Sequence, residues 1–123
     1  MIMKDKFIKV PKNIYNYPEI RALDGDHIFY YCWLQDFLQL SKRDSKYQKD
    51  GRAYVIFEEA RALEFCNIKK GKLYRVKAKL KELGLIDYKE QKVKKKGIST
   101  PIFVTEFDLW EKNRNTTTVQ EEF

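Results

Sequence analysis

Between residues 68 and 98 the chain carries twelve lysines and arginines against three acidic residues, a local balance of +9 within a 123-residue protein whose formal charge is +7. The rest of the chain therefore sits at −2. The chemistry open to such a cluster is neutralisation of phosphates along a polyanion, because confined positive charge raises the local concentration of anionic partners. A lysine-rich solvated face is the plainer reading, and charge alone leaves both open. Other reactive side chains are sparse. His27 is the single histidine and has no Cys or carboxylate at ligand spacing, so it reads as a first-turn helix residue. Asp24 with Asp26, and Glu58 with Glu59, could pass for carboxylate pairs, but each pair sits where a helix is expected to start and capping and dipole effects account for it. Cys32 and Cys66 each lie in an apolar stretch and read as buried free thiols of a reducing compartment, neither a disulfide framework nor a zinc site. There is no phosphate-cradling glycine loop and no nucleophile with a partner base. The expectation is a binding protein and not an enzyme, with no cofactor and no metal.

These side chains must be positioned by something, and the composition supplies it. A hydrophobic fraction of 43% and eighteen aromatic residues are ample for one core, which argues against disorder. The longest strictly apolar run, residues 28–34, is too short to span a bilayer, and no signal peptide opens the chain; a soluble cytoplasmic protein is expected. Residues 6–12 (KFIKVPK) read as a short extended arm. Asp24 is placed to cap a long helix over residues 25–40. Residues 28–34 of that helix are apolar on every face, so the helix must be covered on more than one side. Two readings stay open: a subunit interface of a homodimer, centred on Tyr31 and Trp33, or a central helix wrapped by its own domain. Residues 41–51 form a polar connection ending in the turn signal Asp50-Gly51. Residues 52–57 (RAYVIF) predict a strand and residues 58–65 a short helix. Asn67 can cap a third helix over residues 68–83, which Gly84 can close. Residues 85–89 and 101–105 predict two strands flanking a basic hairpin tip, residues 90–100. From Asn113 the chain is polar and is expected to form a loose tail.

Leu73, Val76, Leu80 and Leu83 form one narrow apolar stripe on the third helix. Its opposite face presents Gly71, Tyr74, Arg75 and Ala78, with Lys70, Lys77 and Lys81 along one rim and Lys72 and Lys79 along the other. Small or hydrogen-bonding side chains at the centre and cations at the rims suit a helix entering a DNA groove, where central residues meet base edges and rim lysines meet phosphates. Lys69, Lys70 and Lys72 occupy first turns that the helix dipole reserves for anions. Gly71 costs roughly 1 kcal/mol relative to alanine inside a helix. Local rules broken without compensation tend to mark functional sites, and Gly71 would permit close approach to DNA. The hairpin tip adds Lys92, Lys94, Lys95 and Lys96 for phosphate or minor-groove contact. The order of elements predicts an α+β winged helix-turn-helix with a long N-terminal helix and a β-hairpin wing, residues 1–112, followed by the tail, residues 113–123. The expected DNA-binding residues are Lys69, Lys70, Lys72, Tyr74, Arg75, Ala78, Lys79, Lys92, Lys94, Lys95 and Lys96.

Four segments together carry a family resemblance: FIKVPKNIY at residues 7–15, YYCWLQDFLQLS at 30–41, KDGRAYVIF at 49–57 and KELGLIDYK at 81–89. The GLI after the third helix is common among winged helices; the FxKxPK opening, the LQD…LS helix end and the DGRxYVIF strand are more specific. Over about residues 6–106 the chain resembles the N-terminal domain of plasmid replication initiator A proteins (the RepA_N family). The resemblance implies a domain that binds double-stranded DNA at origin repeats, as a homodimer. It also implies a separate C-terminal part, outside this sequence, through which host replication proteins would be reached. Two other functions suit the same fold: a transcriptional regulator, and a protein-assembly module without DNA affinity.

Overall fold

The structure, a computed structural model, describes residues 7–89 and 100–121, with side chains as far as Arg114 in the last helix. In chain order the elements are a 3-10 turn (Ile14–Asn16), α1 (Pro18–Arg21), α2 (Gly25–Ser41), a second 3-10 turn (Ser45–Tyr47), β1 (Gln48–Lys49), β2 (Arg52–Ala53), α3 (Glu59–Cys66), α4 (Lys70–Glu82), β3 (Ile86–Asp87), β4 (Phe103–Val104) and α5 (Phe107–Glu121).

The long helix starts where its cap requires. Asp24 is extended, and its carboxylate accepts from the amides of Asp26 and His27 at 3.0 and 3.3 Å, satisfying two of the orphan donors of α2. Tyr30, Tyr31, Cys32 and Leu34 are all essentially inaccessible to solvent. Their cover comes from the same chain. Tyr30 meets Phe57 edge to face at 5.4 Å, and the Tyr31 hydroxyl donates to the carbonyl of Thr105. Tyr31 is therefore enclosed by its own domain and does not reach a subunit contact, which corrects that part of the expected dimer interface. Trp33 is half-buried, stacked on Phe65 at 4.9 Å and 11°.

Two short antiparallel hairpins make the β structure. In the first, Lys49 faces Arg52 across the turn Asp50-Gly51. Both turn residues have positive φ, 53° and 76°, the primed geometry that matches the twist of flanking strands. In the second, Ile86 pairs with Val104 and Asp87 with Phe103. A bridge between Val55 and Ile102, with hydrogen bonds of 2.8 and 2.9 Å in both directions, ties the two together. The strand expected over residues 52–57 is thus shorter than its composition suggests, and β1 is an element the sequence reading lacks.

Asn67 does not start α4. It closes α3 in the left-handed region, φ 55°, ψ 39°, a conformation that asparagine tolerates better than most side chains. The start of α4 falls to Lys69, which provides no side-chain cap. Gly84 closes α4 as expected, at φ +79°. Its amide donates to Lys81 O, and that of Leu85 donates to Leu80 O, both at 3.0 Å; this pair of bonds is the Schellman termination. Trp110 Nε1 satisfies a further end carbonyl, Leu83 O, at 2.8 Å.

The tail expected from Asn113 is instead a continuation of α5. Phe107 and Trp110 are buried, and both meet Tyr17 edge to face, at 6.0 and 5.1 Å. Glu111 accepts from Asn13 Nδ2 and the Tyr17 hydroxyl. Arg114 bonds Glu19 at 3.1 Å and lies over the Tyr17 ring. The domain therefore extends past residue 112, and its last helix clasps its first.

Replacing Gly84 by alanine forces a Cβ into left-handed backbone and is expected to cost about 1 kcal/mol, lowering Tm by about 4 °C. Asn67→Gly should show no such loss. Thermal denaturation followed by far-UV circular dichroism compares the two.

Candidate nucleic-acid interface

Helices α3 and α4 are joined by the three residues 67–69, the left-handed Asn67 making the reversal. Ile68, within that turn, is buried and fixes the angle at which α4 leaves. Leu73, Val76 and Leu80 face the core and Leu83 is half-buried, so the apolar stripe lies where the helical period put it. The outward face consists of Lys69, Lys70, Gly71, Tyr74, Arg75, Ala78 and Glu82, all exposed. Tyr74, at 52% exposure, is among the most open large side chains of the described residues. The final position is acidic, so the cationic part of this face is confined to the first two turns and a half.

Those turns are also the electropositive end of the helix. No acidic residue occupies the first turn, and Lys69 makes no side-chain cap. Free amides, the helix dipole and the lysine charges all attract an anion to the same place. A Cβ added at Gly71 meets nothing within 4 Å, so packing inside the domain does not demand glycine there. The side chains of Lys69, Lys70 and Arg75 make no ion pair with any described residue.

The rim lysines fare differently. Lys72 Nζ lies 2.5 Å from Asp26 Oδ2 and 3.2 Å from Asp24 Oδ2. Hydrogen bonds to Asp26 and then Asp24 raise its pKa. Asp24 in turn accepts from His27 Nδ1 at 2.8 Å, and this bond, more than Lys72, holds its carboxyl below the ordinary carboxylate range. Lys72 thus pairs with the start of α2 and leaves the outward face of these turns to Lys69 and Lys70. Helical projection alone could not reveal an acidic partner on another helix. Lys79 faces Glu82 one turn on, at 3.4 Å; such exposed pairs are worth little and yield readily to a phosphate. Tyr74 donates to Glu59 Oε1 at 3.3 Å.

On the other rim, Lys77 and Lys81 lie 4.6 and 4.5 Å from the centroid of the Tyr88 ring, and Lys81 donates to Tyr88 O at 2.5 Å. The root of the wing is thereby pinned to α4. Sequence reasoning missed Tyr88, although an aromatic residue after a lysine-rich helix offers the signal for a cation–π contact. Lys92, Lys94, Lys95 and Lys96 lie outside the described residues.

The arrangement is a winged helix-turn-helix with its second helix displayed. A family model described as the replication initiator protein A (RepA) N-terminus matches residues 6–120. The chain belongs to that family. The match takes in α5, beyond the segments that carried the resemblance. The RepA N-terminal fold is also seen in solved structures similar to this chain. One is described as the N-terminal domain of a DNA-binding protein and another as a Rep–DNA complex; each is 25% identical, with a TM-score of 0.64 over 92% of this chain and 88% of that chain. A third, described as an MDR initiator, is 23% identical, with a TM-score of 0.64 over 92% and 91%. No curated protein matches the chain. Among the described residues, no helix is long and apolar enough to cross a membrane.

The geometry separates two lysines that look alike in sequence. Lys70→Ala should lower the salt slope of DNA binding by about 1. Lys72→Ala should leave that slope nearly unchanged and instead lower thermal stability. Titrations at several salt concentrations, paired with melting curves, check both.

Proposed function

We propose that this RepA N-terminal domain binds double-stranded DNA at the repeats of a plasmid replication origin and so initiates or controls replication. The observation that carries the reading is the exposed, uncapped and cationic start of α4, set at the reversal of a helix-turn-helix and backed by a wholly apolar inner stripe. Phosphates would occupy the free amides with Lys69 and Lys70, placing Tyr74, Arg75 and Ala78 against base edges in the major groove. Lys79 and the wing lysines Lys92, Lys94, Lys95 and Lys96 would neutralise flanking phosphates. Membership of the RepA family, together with a similar fold in a Rep–DNA complex, supports this reading.

The domain acts by binding and not by catalysis, in the cytoplasm, and as a homodimer. Tyr31 is unavailable for self-association; Trp33, beside the exposed Phe29 and 6.3 Å from its ring, is the aromatic residue placed to take part. A C-terminal part would supply contacts with host replication proteins.

Fluorescence anisotropy on a repeat-containing duplex, against a scrambled duplex across a salt series, tests the reading. Tight, repeat-selective and steeply salt-dependent binding is expected; equal and weak binding to both duplexes would defeat it. Arg75→Ala should cost about 1–3 kcal/mol and blur selectivity if its guanidinium reads a guanine. Gly71→Ala should leave the fold at least as stable yet weaken the repeat complex. Unchanged binding would show that the glycine is not needed for close approach. Sedimentation with and without DNA tests the dimer, which a monomer in both states would exclude.

A further inference from the structure

The register of the β structure brings together a second set of side chains, none of them on α4. Lys49 faces Arg52, and the Tyr54 amide donates to Tyr47 O at 2.9 Å, which carries the pairing on to Tyr47 opposite Tyr54. Directly opposed residues share a face, and alternate residues along a strand return to it. Tyr47, Lys49, Arg52 and Tyr54 therefore lie on one side, while Ala53 and the buried Val55 face the core. The Val55–Ile102 bridge extends this face to Phe103, beside Tyr54. The rings form a half-exposed row, with centroids 6.1 Å apart from Tyr47 to Tyr54 and 6.0 Å from Tyr54 to Phe103. Asp87, paired with Phe103 and 3.9 Å from Lys81, closes the row.

Cations surround these rings. The Arg52 guanidinium lies 5.0 Å from the Phe103 centroid and Lys46 Nζ lies 6.0 Å from that of Tyr47. Lys49, on the same face, is exposed, as is Arg43 ahead of the second 3-10 turn. Of the acidic neighbours, Asp44 is taken up in capping the amide of Lys46 at 3.0 Å, and Asp50 sits at the turn. Lys42 is paired with Glu106, whereas Arg43, Lys46, Lys49 and Arg52 have no ion pair among the described residues. Lys49 and Arg52 also oppose each other directly, an arrangement of like charges that destabilises a hairpin. Protection of a sheet edge explains a lysine on β1; it explains neither the opposed arginine nor the aromatic row.

We propose that this outer sheet face is a second nucleic-acid site, and that it takes single-stranded DNA. Half-exposed rings beside unpaired cations are what an unpaired strand requires: ring faces on which bases stack and charges that follow its phosphates. A duplex keeps its bases stacked inside and would use the cations alone. The site is independent of the duplex reading of α4, and the two fail separately.

The test is fluorescence anisotropy of the full chain with labelled oligothymidine, which forms no secondary structure, alongside the repeat duplex. The charge reversal Lys49→Glu/Arg52→Glu, on exposed positions, and separately Tyr47→Ala should each weaken oligothymidine binding about tenfold while leaving the duplex complex within about twofold of its original affinity. Arg75→Ala should do the reverse. An abasic strand of equal length should bind about tenfold more weakly than oligothymidine, as expected when base stacking contributes. Absence of oligothymidine binding at low salt overturns the proposal, as does indifference to the charge reversal. Equal affinity for the abasic strand removes the stacking platform. Parallel loss of duplex binding in the charge-reversed protein would make this face part of the duplex interface instead.

Discussion

Helix α2 buries more than half of its circumference over its first three turns and leaves a strip around Phe29 to water, and that constraint governs where the other elements go. Burying an aromatic or aliphatic side chain contributes on the order of 1.5–3 kcal/mol, and Ile28, Tyr30, Tyr31, Cys32 and Leu34 can all be buried only if cover arrives from more than one direction. Helices α3 and α4 and strand β4 pack directly on α2. Burial also pushes the Cys32 and Cys66 thiols up to about 11 and about 12, so both stay protonated and act as small hydrophobic groups. The exposed face of α4 is a consequence of this packing: its inner stripe must meet α2, which leaves Tyr74 and Arg75 pointing away.

Much of this was legible because it rests on local chemistry. The Asp24 cap, the Asp50-Gly51 turn, the stripe of α4 and the closing Gly84 are each decided by a few neighbouring residues. The α5 clasp was not legible. Its polar tail shows little amphipathic pattern, and what holds it are partners distant in sequence: Glu111 with Asn13 and Tyr17, and Arg114 with Glu19. The spacing of Phe107 and Trp110, one helical turn apart with Asp108 in the first turn, was the available signal. Asn67 misled in a different way, since asparagine serves equally well at a helix start and in the left-handed residue that ends one.

The outward face of α4 shows the same division. Helical periodicity placed Gly71, Tyr74, Arg75 and Ala78, with Lys70 on the rim, correctly at the surface, because exposure follows from which stripe is apolar. It could not say what an individual ammonium group would meet. Lys70 and Lys72 differ by two positions, yet only Lys72 lies across from Asp24 and Asp26, residues that cap and begin another helix. Tyr31 and Trp33 part company for a similar reason: two positions apart on α2, one points into cover supplied by the strand before α5 and the other toward the rim of the α2–α3 contact.

Helix α5 is joined to the last carbonyls of α4 by the indole of Trp110 and to the start of the chain by Glu111 and Arg114. Mechanically, this makes it a bracket that grips α4 by its tail. Leu83 lies eight residues beyond Arg75, about 12 Å along the axis at 1.5 Å per residue. A load applied through α5 would therefore be taken up first by the Schellman turn and the N-terminal segment. The first two turns of α4 are held by other side chains, the buried Ile68, Leu73 and Val76, so the displayed end of the helix rests on packing separate from its junction with α5.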